Sequence, residues 1–275
     1  MKNLIYSIIP KLRNNLNLIK KKISGIYLVS KPVASKEEYL QIHNKAKKNI
    51  NIEVTKLVKE FGFPINKNWL DKLALKTQIV KKKNQIDYQH GRLIYSLIRN
   101  QLKTFTNQNY FKILEVGTAR GFSSIIMSKA ILDSKKKGKI ATIDIIPHNK
   151  KIYWNTIDDL EGPQTRKHLL RSYKKYLKSI NFLTGESVNI IKNIKTKQFN
   201  FIFLDGNHDF YYVMKEYDLV KNLQKKNDLL LLDDVTPKKF DGIIKLLNII
   251  KKENKYTIRK ITSNPKRGYA ILEKK

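Results

Sequence analysis

The chain has 275 residues, no cysteine and a formal charge of +33. That length buries a full core as one large domain, or one domain with an extension; the missing cysteines exclude disulfides and thiolate-held zinc or iron–sulfur centres. No apolar run reaches the ~18–20 residues of a membrane-spanning helix. Leu4–Ile9, ended by Pro10, is short for a signal-peptide core and has no small-residue cleavage site, so a cytoplasmic protein is expected. The charge invites a nucleic-acid partner. Lysine far outnumbers arginine, however, and arginine is the better tool for phosphate and base recognition. The lysines lie in scattered runs (Lys20–Lys22, Lys81–Lys83, Lys135–Lys137), which read mostly as solvated surface.

In chain order, residues 1–32 form a basic amphipathic stretch with Leu12, Leu16 and Ile19 at helical spacing. Its expected role is a helix docked on the body or on a partner subunit, with a weak membrane-surface contact as the lesser reading. A helical stretch runs from Ser35 to about Phe63, opened by Ser35 and Glu38 at capping-box spacing and ended by Phe61-Gly-Phe-Pro64. A short helix begins around Trp69 and Leu70. Asp87 is expected to cap a further helix carrying Leu93, Ile94, Leu97, Ile98 and Leu102, and Thr104–Asn109 is a loop. Residues 1–86 thus read as a helical N-terminal extension, a cap or an oligomerisation element, before a main domain of residues 87–275.

From Lys112 the pattern alternates: strands at 113–116, 139–144, 180–184, 199–205 and 228–233, with helices at 121–133, 165–178, 187–193, 210–223 and 238–250. Tyr256–Ile261 and Tyr269–Leu272 are joined too closely for a parallel crossover and form a hairpin. Five βα units and a terminal hairpin predict an α/β, doubly wound sheet with one antiparallel strand. Tyr153–Pro163 is a loop with two acids beside aromatics, read either as a substrate lid with Arg166 and His168 or as a surface loop, and given no catalytic role.

The first unit reads Ile113-Leu-Glu115-Val-Gly117-Thr118-Ala-Arg-Gly121-Phe-Ser123: a buried strand, a glycine turn and a helix start. Such a crevice presents free backbone N–H groups to nucleotide-like ligands. Ala119 stands where the dinucleotide fingerprint has its second glycine, and Glu115 suits a cationic centre and an amine better than phosphates. The stretch resembles motif I of class I S-adenosylmethionine-dependent methyltransferases, a resemblance that implies a Rossmann-like fold and that cofactor. On that layout the cofactor-binding residues are Glu115, Gly117, Thr118, Gly121 and Ser123 of the turn, Asp144 for the ribose hydroxyls, Ser187 at the adenine edge, and Asp205. Helix capping is the bland alternative for Asp144, Ser123 and Ser187.

Phe201-Ile-Phe-Leu-Asp205-Gly-Asn-His208 and Leu229-Leu-Leu-Leu-Asp233-Asp234 are apolar strands running into acids. Neighbouring strands lie ~4.8 Å apart, so three carboxylates meet at one sheet edge and repel unless a cation sits among them. All-oxygen donors suit Mg²⁺ or a similar hard cation. Asp233 and Asp234 converge only if the strand ends there, because consecutive strand side chains point to opposite faces.

This constellation resembles metal-dependent O-methyltransferases over about residues 88–273. Asp205, Asp233 and Asp234 match the metal-ligand positions of the catechol-type branch, although that branch usually has Asn where Asp234 stands and a lysine base where His208 stands. Asp205-Gly-Asn-His208 is similar to the macrolide-sugar and cephalosporin-pathway branch, which implicates its histidine as base. The resemblance implies methyl transfer to a hydroxyl of a small-molecule or sugar acceptor, with His208 as the catalytic base and Mg²⁺ on the three acids; structural hydrogen bonding is the bland alternative for His208. The competing readings are an RNA-hydroxyl (tRNA) methyltransferase, favoured only by the charge, a cofactor-binding protein without catalysis, and a hydroxylase, which lacks a convincing facial triad. A homo-oligomer is expected.

Overall fold

A computed structural model describes residues 29–106, 110–236, 241–264 and 267–275. Leu12, Leu16 and Ile19 of the basic N-terminal stretch lie outside them. Helices α1 (Lys36–Ala46), α2 (Ile52–Phe61), α3 (Lys67–Thr77) and α4 (His90–Thr104) come first. The capping box of Ser35 and Glu38 forms at α1. The helical run expected from Ser35 to Phe63 divides in two, because the Asn51 side chain accepts from the Val54 amide and starts a new helix there. Gly62, at φ 75°, closes α2 in the left-handed region. Asp87 does not cap α4; it accepts from the Gln89 amide in a local turn, and α4 begins without a side-chain cap.

Seven strands follow: β1 (Phe111–Val116), β2 (Gly138–Asp144), β3 (Ile180–Thr184), β4 (Phe201–Leu204), β5 (Leu229–Leu232), β6 (Tyr256–Asn264) and β7 (Arg267–Lys274). They form one sheet in the order β3-β2-β1-β4-β5-β7-β6. Strands β1 to β5 are parallel, and β7 runs antiparallel to both its neighbours. The doubly wound sheet with its C-terminal hairpin is therefore as the sequence predicts. The connecting helices are α5 (Phe122–Asp133), α6 (Arg166–Leu169), α7 (Lys174–Leu177), α8 (Ser187–Lys192), α9 (Phe210–Val220) and α10 (Asp241–Glu253). The single helix expected over 165–178 is instead α6 and α7, broken at Leu170, whose side chain seats against Gly121.

The pleat explains how the sheet is covered, since side chains alternate between its faces. Ile113, Ile140, Phe201, Phe203 and Leu231 share one cluster with α4, α5 and the N-terminal helices, including Tyr39, Leu57 and Leu73. Leu114, Val116, Ile143, Leu204 and Leu232 share the other with Ile191, Tyr217 and Leu246 of α8, α9 and α10. Each such side chain contributes about 1.5–3 kcal/mol relative to exposure. Among the described residues no helix is long and apolar enough to cross a membrane.

The stretch after β2 is not a surface loop. Trp154 is wholly buried, as are Asp158 and Asp159. Its indole N–H donates to the Gln164 carbonyl at 2.8 Å, and Asn155 joins Tyr39 and Lys81 of the N-terminal region. Lys76 of α3 pairs with Asp158 at 2.6 Å.

Candidate active site

The glycine turn after β1 is built on three left-handed residues: Gly117 (φ 97°), Ala119 (φ 47°) and Gly121 (φ 85°). A Cβ at Gly117 would lie 2.1 Å from the Asp205 carbonyl oxygen, so the turn and the end of β4 meet backbone to backbone. Ala119 carries a strained conformation that glycine holds freely. It is pinned from both sides: its N–H donates to Asp144 Oδ2 at 2.6 Å, and its carbonyl accepts from Arg166 Nε at 2.8 Å.

Beneath the turn, Glu115 is fully buried and accepts hydrogen bonds from the hydroxyls of Ser123, Ser124 and Thr142. Burial pushes its carboxyl up, and the three hydroxyls oppose that. The pleat places Glu115 on the α5 face together with Thr142, which is why α5 covers it. Thr118 likewise points inward, its hydroxyl against that of Thr142.

Asp144 ends β2 as expected, with the Ile146 amide on Oδ1 at 2.8 Å and the Arg166 guanidinium 3.5 Å from Oδ2. Burial raises its carboxyl, against the pull of Arg166. Arg166 is itself only 1% exposed. It lies over the rings of Trp154 and Phe182, 5.4 and 5.9 Å from their centroids. The sequence signals nothing of this pairing, which joins residues of two separate elements across an irregular segment.

His148 stacks on Phe182 at 3.9 Å. Burial, with Arg166 and Lys167 nearby, lowers its pKa from 6.5 to about 4. The folded protein therefore holds it neutral while the unfolded chain takes up a proton below pH 6.5, so its contribution is full above pH 6.5 and lost as the pH falls towards about 4. His148→Phe keeps a ring on Phe182 and removes that titration. The melting temperature of the variant is expected to fall less steeply than the wild type's over that interval; parallel curves would refute the assignment.

The acids meet at the carboxyl ends of β4 and β5. The Asp205 amide donates to the Val116 carbonyl at 3.0 Å, fixing it beside the glycine turn. β5 ends at Leu232, and Asp234 adopts φ 54°. That left-handed residue breaks the alternation of the strand. Asp233 stays inside, fully buried, with Oδ1 accepting from the Asp234 amide at 2.7 Å. His208 Nε2 stands 3.3 Å from Asp234 Oδ2 and 3.7 Å from Asp205 Oδ1. One donor atom from each of Asp205, His208 and Asp234 lies within 4.8 Å of the others, a spacing that fits a single divalent cation. Of the three acids expected to converge, Asp205 and Asp234 stand together with His208, while Asp233 is fully buried with its charge acting on Asp205.

Burial and the charge of Asp233 push the Asp205 carboxyl up to about 7. Burial lowers the pKa of His208, but the surrounding acids outweigh it and raise the value. Gly242 of α10, which sequence reasoning passed over, makes this loop possible: a Cβ there would lie 2.3 Å from the His208 carbonyl and 2.5 Å from the Phe210 nitrogen. Its signal was an Asp-Gly pair inside a helical pattern, where glycine needs a packing reason. Ser187, expected at the adenine edge, donates its hydroxyl to Glu216 of α9.

A sheet of this order with a glycine turn after its first strand is the class I methyltransferase fold, and residues 114–235 match the family model described as methyltransferase domain. The chain thus carries a methyltransferase domain over residues 114–235, built on that fold. Among solved structures, the fold is similar to that of the O-methyltransferase TomG from Streptomyces achromogenes, involved in tomaymycin synthesis and solved with SAM. Identity is 15%, coverage 78% of this chain and 92% of that one, and the TM-score 0.54. Cofactor-bound Rv0187 from MTB is similar at 15% identity, covering 74% of this chain and 85% of that one, with a TM-score of 0.51. No curated protein matches the sequence.

Proposed function

We propose that the chain is a divalent-metal-dependent O-methyltransferase acting on a hydroxyl of a small-molecule or sugar acceptor. The carrying observation is Asp205, whose backbone packs on Gly117 while its carboxylate joins Asp234 and His208. One residue thus belongs to both the methyl-donor turn and the acid cluster. TomG, a fold relative named for its part in tomaymycin synthesis, supports a small-molecule acceptor.

The backbone of Gly117, Thr118 and Gly121 lines the cofactor side, and Asp144 faces the ribose hydroxyls, which share its carboxylate with Arg166. Glu115 and Ser123 shape the turn from below through their hydrogen bond to each other. When bound, the cofactor supplies an electrophilic methyl group on a sulfonium. Asp205 and Asp234 would hold the cation, with Asp233 fixing the Asp234 backbone through its hydrogen bond to that amide. The cation supplies positive charge that lowers the pKa of an acceptor hydroxyl. His208, held between the two carboxylates, accepts the hydroxyl proton at Nε2. The protein's main contribution is positioning. Residues 29–86 act as a cap: through Tyr39, Lys76 and Lys81 they hold the Trp154–Gln164 segment that stands beside the crevice.

Two measurements test the metal. Methyl transfer is expected to stop in excess EDTA and return with Mg²⁺; undiminished turnover in the chelator would reject it. Independently of turnover, calorimetric titration of Mg²⁺ into wild type should give a one-site isotherm that Asp234→Ala abolishes.

A further inference from the structure

Glu216 of α9 is a buried carboxylate that the mechanism above does not use. It is 1% exposed. Its Oε1 accepts from the Ser187 hydroxyl, and its Oε2 has no hydrogen-bond donor. A desolvated carboxylate oxygen without a donor is rare in folded proteins and calls for an explanation. Burial pushes this carboxyl up to about 7, against the Ser187 hydrogen bond and the nearby His208.

Its neighbours lie at the carboxyl ends of the parallel strands. Ser187 opens α8 just past the end of β3. Gly206 follows the end of β4, and a Cβ there would lie 3.8 Å from Glu216 Oε1 and 2.9 Å from Val116 Cγ1 of β1. The carboxylate thus lies beside residues just past the ends of two strands, β3 and β4, on the sheet face covered by α8 and α9. With the ribose on Asp144 at the end of β2 and the sulfonium towards Gly117 and Asp205, the base of the cofactor extends to the Gly185–Ser187 side. The exposed edge of adenine carries an exocyclic amine with two N–H donors. A carboxylate oxygen lacking a donor is its complement.

We infer that Glu216 is a specificity-determining residue for the methyl donor: its Oε2 accepts from the exocyclic amine of the adenine, and Ser187 acts through it by holding Oε1. This rests on the cofactor reading above. The alternative, a carboxylate that merely anchors Ser187, needs one oxygen and has no preference among purines.

The test compares S-adenosylhomocysteine with S-inosylhomocysteine, in which a carbonyl oxygen replaces the amine, by calorimetry. Wild type is expected to bind the inosine form at least about tenfold more weakly, since a buried acceptor then faces an acceptor. Glu216→Gln offers that carbonyl an N–H donor, so the gap should shrink below about threefold. Equal binding of the two ligands by wild type, or an undiminished gap in a folded Glu216→Gln, overturns the inference while leaving the cofactor reading intact. Wild type binding neither ligand overturns both. If Glu216→Gln does not fold, the N6,N6-dimethyl analogue decides on wild type: without an N–H it should lose the same factor as the inosine form, and full affinity for it overturns the inference.

Discussion

Gly117→Ala is expected to lower affinity for S-adenosylhomocysteine by more than about a hundredfold. The left-handed φ of 97° costs alanine about 1–2 kcal/mol. That is the smaller part. The added methyl would sit 2.1 Å from the Asp205 carbonyl oxygen, a backbone atom that no rotamer change can move. Relief requires β1 and β4 to part where the Asp205 amide bonds Val116, or the turn to lift into the crevice. Either movement displaces the turn proposed to hold the cofactor. Gly62→Ala is the matching control: it has a similar φ of 75° but nothing within 4 Å of the new methyl. It should cost about 1–2 kcal/mol of stability and leave binding unchanged. Calorimetry on both variants, with melting curves, separates strain from collision; wild-type affinity in Gly117→Ala would refute the close approach.

The second large effect falls on the acid cluster. Asp234→Ala removes one of the two carboxylates proposed to hold the cation. Loss of several kcal/mol of charge stabilisation, at about 1.4 kcal/mol per decade of rate, predicts at least about a hundredfold fall in kcat. His208→Ala, removing the base, predicts a fall of about 10²–10⁴-fold. Affinity for S-adenosylhomocysteine should survive in both, since neither residue belongs to the turn. Asp233→Asn provides the contrast, because asparagine still accepts from the Asp234 amide in place of Oδ1. Its kcat should stay well above that of Asp234→Ala. Equal losses in the two would mean that Asp233 itself holds the cation, as the catechol-type pattern implies.

How much of this was legible in the sequence depended on whether a residue sits in periodic structure. The β1–glycine–α5 unit, the alternation that sends Ile113 and Leu114 to opposite faces, and the terminal hairpin all follow from local rules, and they fixed the sheet. The end of α1 was missed because Asn51 looks like any polar residue within a helical pattern, and only its capping bond marks the break. At Asp233 and Asp234 the spacing correctly located the acids at the strand end. Which of them turns towards His208 was decided by a left-handed non-glycine residue, a conformation that no local signal announces. The pairing of Arg166 and the burial of Glu216 were invisible for another reason: each is defined by a partner far along the chain, Asp144 for one and Ser187 for the other. Periodicity carries no information about such pairs.

The N-terminal helices share a single hydrophobic cluster with one face of the sheet, from Tyr39 and Leu57 through Phe201 to Ile271. The cap is consequently not a detachable lid. Heating or denaturant is expected to melt it together with that face of the sheet in one transition, because the two share one core. An insertion that shifted α1 to α3 bodily would be felt as lost stability before it was felt as altered selectivity.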